Sequence, residues 1–141
     1  MSSSKEIEKI TNGKDLLAIV IRRNFHKEGI SFLTDPEENI QFGYFSHSKG
    51  QKIQPHVHKE FIRNTSGTQE VLFIKDGSLK VNFFSKNQKS IGKNIILSKG
   101  DWIVLLSEGH GFEMLSDCKI IEVKNGPYAG DEDKVRFNEE L

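Results

Sequence analysis

The feature that most constrains this chain is a series of short apolar runs cut at near-regular intervals by Gly and Asp. Leu17-Ala-Ile-Val-Ile21, Val71-Leu-Phe-Ile74, Ile95-Ile-Leu97 and Trp102-Ile-Val-Leu-Leu106 are too short for ordinary helices and rich in β-branched or aromatic residues. Phe112 to Leu115 and Cys118 to Val123 continue the series. Ile40, Phe42 and Tyr44 alternate with Gln41 and Gly43, and Leu79, Val81 and Phe83 alternate with Lys80 and Asn82. That is the period of a half-buried strand. Lys75-Asp-Gly77 is a hairpin signal, and Lys99-Gly-Asp101 separates two further runs. Many short strands with this punctuation predict an all-β sandwich or barrel.

The ends read differently. Ser3, three residues before Glu6, offers a capping box before a short amphipathic turn through Ile7 and Ile10, with a frayed terminus as the alternative. Pro127 to Leu141 is polar and acidic, with Val135 and Phe137 as anchors for a docked tail. The expected organisation is an N-terminal extension over 1–14, one barrel over 15–126 and a C-terminal tail over 127–141.

Composition narrows the function classes. A chain of 141 residues is one domain of ordinary size. Twenty Lys and Arg balance twenty Asp and Glu, so no net charge draws it to nucleic acid or anionic lipid. No basic stripe and no aromatic row suited to base stacking appears, so no nucleic-acid partner is expected. No run approaches the roughly 20 apolar residues of a membrane span, and the first residues lack the apolar core of a signal peptide. No membrane partner and a cytoplasmic location are the expectations. Cys118 is the only cysteine, which rules out an intrachain disulfide and a thiolate metal site.

The chemistry concentrates in histidine. Pro55-His56-Val57-His58 places two imidazoles two residues apart, on one face if the segment is a strand. Neutral imidazole suits the borderline divalent metals; the alternative for the pair alone is a surface strand with two solvated histidines. His26 and His47 lie in unpatterned stretches and read as solvated. Tyr44 and Phe42 read as core residues, and Tyr44, facing inward, is able to bond a ligand. Arg63 is a candidate for gripping a carboxylate or phosphate. Phe112 and Met114 share parity with His110 and are expected to line the interior beside it, with Glu113 facing away.

Five residues separate Gly50 from His56, six separate Glu70 from Gly77, and His110 stands ten positions after Gly100. This pattern resembles the cupin superfamily, over residues 50 to 114. Gly50, His56, His58, Glu70 and Gly77 match its first motif. Gly100 and, one position shifted, His110 match its second. There are two departures. Eleven residues separate His58 from Glu70, where the motif has three or four, so Gln69 is an alternative to Glu70. The Pro-x-Gly of the second motif is absent, so the turn through Gly109, His110 and Gly111 must present the imidazole by another path.

The resemblance implies a cupin-type double-stranded β-helix, the jelly-roll barrel. It implies one divalent transition metal (iron, manganese, nickel, cobalt or zinc) held by His56, His58, Glu70 and His110. The expected function is that of a metal-dependent enzyme acting by Lewis-acid chemistry on a small polar molecule, a carbohydrate-related one being among the candidates. The alternatives are an iron-dependent dioxygenase and a non-catalytic ligand-binding or sensor module. Glu60 and Tyr44 are the candidate catalytic bases, and Tyr44, Arg63, Phe112 and Met114 the candidate substrate pocket. A homodimer is expected, with Leu16 to Ile21 as its edge contact.

Overall fold

A computed structural model describes residues 6–138 of the chain. Ten strands account for its regular structure: β1 Ile7–Asn12, β2 Asp15–Ile21, β3 Gly29–Phe32, β4 Gly43–Ser46, β5 Glu70–Asp76, β6 Ser78–Phe84, β7 Ser90–Ser98, β8 Trp102–Leu105, β9 Gly109–Met114 and β10 Lys119–Lys124. One 3-10 turn, Gly130–Asp133, follows. The fold is all-β.

The larger sheet has the order β1-β2-β8-β5-β10, the smaller one β7-β6-β9, and β3 pairs with β4 as a separate hairpin. The sheets are not closed into a barrel. The second edge of β9 carries no neighbouring strand among the described residues.

Burial explains the two sequence periods. The inner strands of the larger sheet, β2, β8 and β5, are covered on both faces. Ala18, Val20, Leu72, Ile74, Ile103 and Leu105 meet Leu79, Val81, Phe83 and Leu97 of the smaller sheet. Ile19, Ile21, Val71, Val104 and Leu106 pack behind against Phe25, Leu33, Ile40, Phe42 and Trp102. A strand buried on both faces needs apolar residues at every position, so β2 and β8 read as continuous runs. β6 is covered on one face only, and it alternates.

Several expectations change. β1 occupies residues assigned to the extension and pairs with β2 from Ile7↔Ile21 to Asn12↔Asp15. The Asn12-Gly13 step makes a tight hairpin there, with Gly13 at φ 61°. An extended β1 replaces the expected amphipathic turn, and the capping Ser3 lies outside the described residues. β2 is bonded to β1 on one side and β8 on the other, so Leu16 to Ile21 offers no free edge to a second copy. The strand expected through Ile40 and Phe42 begins only at Gly43. Side chains capture the preceding backbone instead: Ile40 N donates to Gln69 Oε1 at 2.8 Å and Phe42 N to Thr34 Oγ1 at 3.1 Å.

Candidate functional site

Glu70 opens β5 on the face that carries Leu72 and Ile74 into the space between the sheets. His110 lies opposite Phe83 in the β6–β9 register, and Phe83 fills the same space from the other side. The two polar groups therefore point at each other from facing sheets. Glu70 Oε2 stands 3.4 Å from His110 Nε2, and the His110 ring lies 5.4 Å from that of Phe112. The His110 ring holds the Glu70 carboxyl below its ordinary value; burial opposes this, and Lys134 and Lys124 add to the lowering.

The pair borders a cleft of about 780 Å3 that Phe84, Glu108, Phe112, Lys86, Lys134 and Arg136 also line. The tail closes one side, with Phe137 edge-on to Phe84 at 5.2 Å between centroids. Val135, the other expected anchor, is exposed. The turn into β9 differs from the expected glycine path. Glu108 takes the left-handed conformation at φ 59°, while Gly109 and Gly111 are extended strand residues. Glu108 is held there by its Oε1, which accepts from Asn12 Nδ2 at 3.2 Å and Lys86 N at 3.3 Å. Gly109 serves close packing instead, since a Cβ there would lie 3.1 Å from Phe84 Cβ.

His56 and His58 stand elsewhere. They lie in the irregular segment between β4 and β5, exposed, with ring centroids 5.3 Å apart. His56 Nδ1 bonds Gln54 O at 2.8 Å. Among the described residues no three His, Cys, Asp or Glu side chains are grouped to hold a metal ion. The expected ligands thus form two separate pairs, His56 with His58 and Glu70 with His110. Gln69 belongs to neither. Its Nε2 donates to Glu38 Oε2 at 2.5 Å and its Oε1 accepts from Ile40 N, a structural bracket that occupies both ends of the amide.

The other candidates are dispersed. Glu60 and Arg63 are exposed on the same irregular segment, where the Arg63 guanidinium lies 4.0 Å over the Phe61 ring. Tyr44 sits on β4, behind the larger sheet, and its hydroxyl meets His26 Nδ1 at 3.2 Å. Phe112 lines the cleft, while Met114 lies further along β9 and is exposed. The charged cleft residues missed by the sequence reading include Lys86, Glu108, Asp133, Lys134 and Arg136. The alternation Lys134-Val135-Arg136-Phe137 is the signal for the last two, with the basic side chains on one side of an extended tail.

A second hollow, of about 680 Å3, lies behind the larger sheet, among Phe25, Phe42, Tyr44, Trp102 and Arg23. Trp102 stacks on Phe73 at 4.5 Å and meets Phe42 edge-on at 5.5 Å.

Comparison with known protein families, curated proteins and solved structures finds no match for this chain.

Proposed function

We propose that the cleft between the sheets binds a small anionic molecule, and that the chain is a cupin-like binding or catalytic domain built on the Glu70–His110 pair. The observation that carries this reading is the 3.4 Å approach of Glu70 Oε2 to His110 Nε2 across the gap. The two residues come from distant parts of the chain and meet only because the sheets face each other. Lys86, Lys134 and Arg136 line the cleft beside the carboxylates of Glu70, Glu108 and Asp133, and the Arg136 guanidinium suits a carboxylate or phosphate group of a ligand.

Support for the cupin resemblance comes from the glycines as well. Gly77 and Gly100 stand at strand boundaries with φ of 83° and 91°, as turn positions that require glycine do. Closing the jelly roll would need the segment between β4 and β5 to join the smaller sheet.

For a divalent metal, Glu70 and His110 supply one oxygen and one nitrogen donor. His56 and His58 are not beside them, so the four-ligand centre does not fit a single chain as folded. The chemistry open to the pair itself is proton transfer. The Glu70 carboxylate orients the His110 imidazole, and the imidazole is able to exchange a proton with a ligand in the cleft.

Thermal-shift titration with inorganic phosphate and citrate tests the site. The wild type is expected to be stabilised by at least one of these anions, and Arg136→Ala to lose that stabilisation. No shift in the wild type with either anion would remove the reading.

A further inference from the structure

Residues 47–68 form a long arm in which every residue is exposed and no strand or helix is present. Loops of this length without internal structure are uncommon in a compact domain and are either functional or linker segments. The root is tied down, with Asn39 Nδ2 and Asn125 Nδ2 donating to Ser66 O and Gly67 O at 2.9 and 3.1 Å. Among the described residues, no backbone–backbone hydrogen bond holds residues 52–65 to the body. Yet the arm carries apolar side chains in water: Ile53 is 52%, Val57 88%, Phe61 62% and Ile62 90% exposed.

The complementary feature is the free edge of β9. Phe112 and Met114 lie opposite Val81 and Leu79, which are fully buried in the core, but remain 37% and 51% exposed because no strand covers that edge. The charges match at one end of this edge. Residues 49–63 carry Lys49, Lys52, Lys59 and Arg63 against Glu60 alone. Glu113, which also meets Lys80 at 3.2 Å, and Asp117 lie towards the far end of β9, while Lys86, Lys134 and Arg136 stand beside Glu108 and His110 at the near end.

We propose that Ile53–Ile62 of one copy of this chain pairs along the β9 edge of a second copy, each giving and receiving an arm. Strand addition satisfies the unpaired backbone of both partners, and mutual exchange closes the assembly with two-fold symmetry. It also covers Phe112 and Met114. A consequence rests on the reading of the Glu70–His110 site above. The extended arm would carry His56 and His58, which share a strand face, to the partner's Glu70–His110 pair, and the divalent-metal set would form between chains.

Light scattering on size-exclusion fractions tests the exchange without metal. The wild type is expected at twice the 16.1 kDa chain mass. Val57→Asp with Ile62→Asp, on exposed positions that leave the fold intact by circular dichroism, is expected at the chain mass. So is Phe112→Lys with Met114→Lys, or Met114→Lys alone if the pair fails to fold. Mixing the arm variant with the edge variant restores one intact arm-on-edge contact, and dimer mass returns. A monomeric wild type, a dimer that survives the arm variant, or no recovery on mixing overturns the proposal.

A second mixture separates the two readings. His56→Ala with His58→Ala, combined with Glu70→Gln with His110→Ala, is expected to recover bound Mn2+ or Zn2+ that neither variant holds alone. Dimer recovery in a wild type that binds no metal keeps the exchange and discards the metal set. Metal bound by a monomeric wild type keeps the metal set and discards the exchange.

Discussion

Arg22 Nη1 donates to Asp101 Oδ2 at 3.1 Å, joining the end of β2 to the turn that opens β8. Asp101 is buried and does more than pair. Its Oδ1 accepts from Arg23 N at 3.0 Å and its Oδ2 also from Ser98 N at 2.9 Å. Arg22 in turn meets Glu8 Oε2 at 2.7 Å, so one network fastens β1, β2, β7 and β8 at this end of the molecule. Asp101→Ala would strand the N–H groups of Arg23 and Ser98 and remove one partner of the Arg22 guanidinium, which keeps Glu8 and Ile96 O. It is expected to lower the unfolding free energy by about 2–3 kcal/mol in urea titration. Asp101→Asn keeps the acceptor oxygen and is expected to lose less. Equal losses for both would show that packing, rather than these bonds, holds the turn.

Gly77 and Gly50 both have positive φ, at 83° and 90°, but only one is crowded. A Cβ at Gly77 would overlap the carbonyl of Asp117, whereas one at Gly50 meets nothing within 4 Å. Gly77→Ala is therefore expected to cost about 3 kcal/mol, from strain and displaced backbone together. Gly50→Ala is expected to cost about 1 kcal/mol. Parallel denaturant melts of the two variants measure the difference, and similar costs would contradict the close approach at Gly77.

How much of this was legible in the sequence depended on whether one strand or two sheets decided it. The runs through β2, β5, β6 and β8 are readable because continuous or alternating apolar residues report local burial. β1 was misread, because a two-residue turn after Asn12 outweighed the weak capping pattern before it. Ile40 and Phe42 alternate like strand residues, yet Gln69 and Thr34 take their backbone donors. The types Glu70 and His110 stand out through the motif, and the resemblance, not a local period, sends both inward. Their meeting, and the separation of His56 and His58 from them, depends on how the sheets face and where a long connection goes. No local period records that.

Phe83 is fully buried between the sheets, directly opposite His110 on β9. Phe83→Ala opens a cavity beneath the cleft and is expected to destabilise by about 3–5 kcal/mol. Phe83→Leu preserves more of the volume and is expected to cost less. If both substitutions also abolish anion binding while the fold survives, the floor of the cleft positions His110 as well as supporting it.

Glu70 gives the site a pH signature whose sign follows from its environment. Its folded carboxyl titrates below the ordinary value of 4.5, chiefly because the His110 ring meets it. A depressed carboxyl contributes stability that is present above 4.5 and is lost as pH falls through the lower folded value. Comparison of the wild type with Glu70→Gln isolates this contribution, because Asp133, also lowered and hydrogen-bonded by Thr68, is unchanged in both. The wild type is expected to be the more stable at pH 5, and the difference to shrink as pH is lowered towards about 2. His110→Ala is expected to shrink this acid-side loss, since the carboxyl loses its main lowering partner while its burial, which raises it, remains. A wild type and Glu70→Gln that lose stability in parallel across this range would show that the pair carries no net folding energy, and would leave its role to the ligand alone.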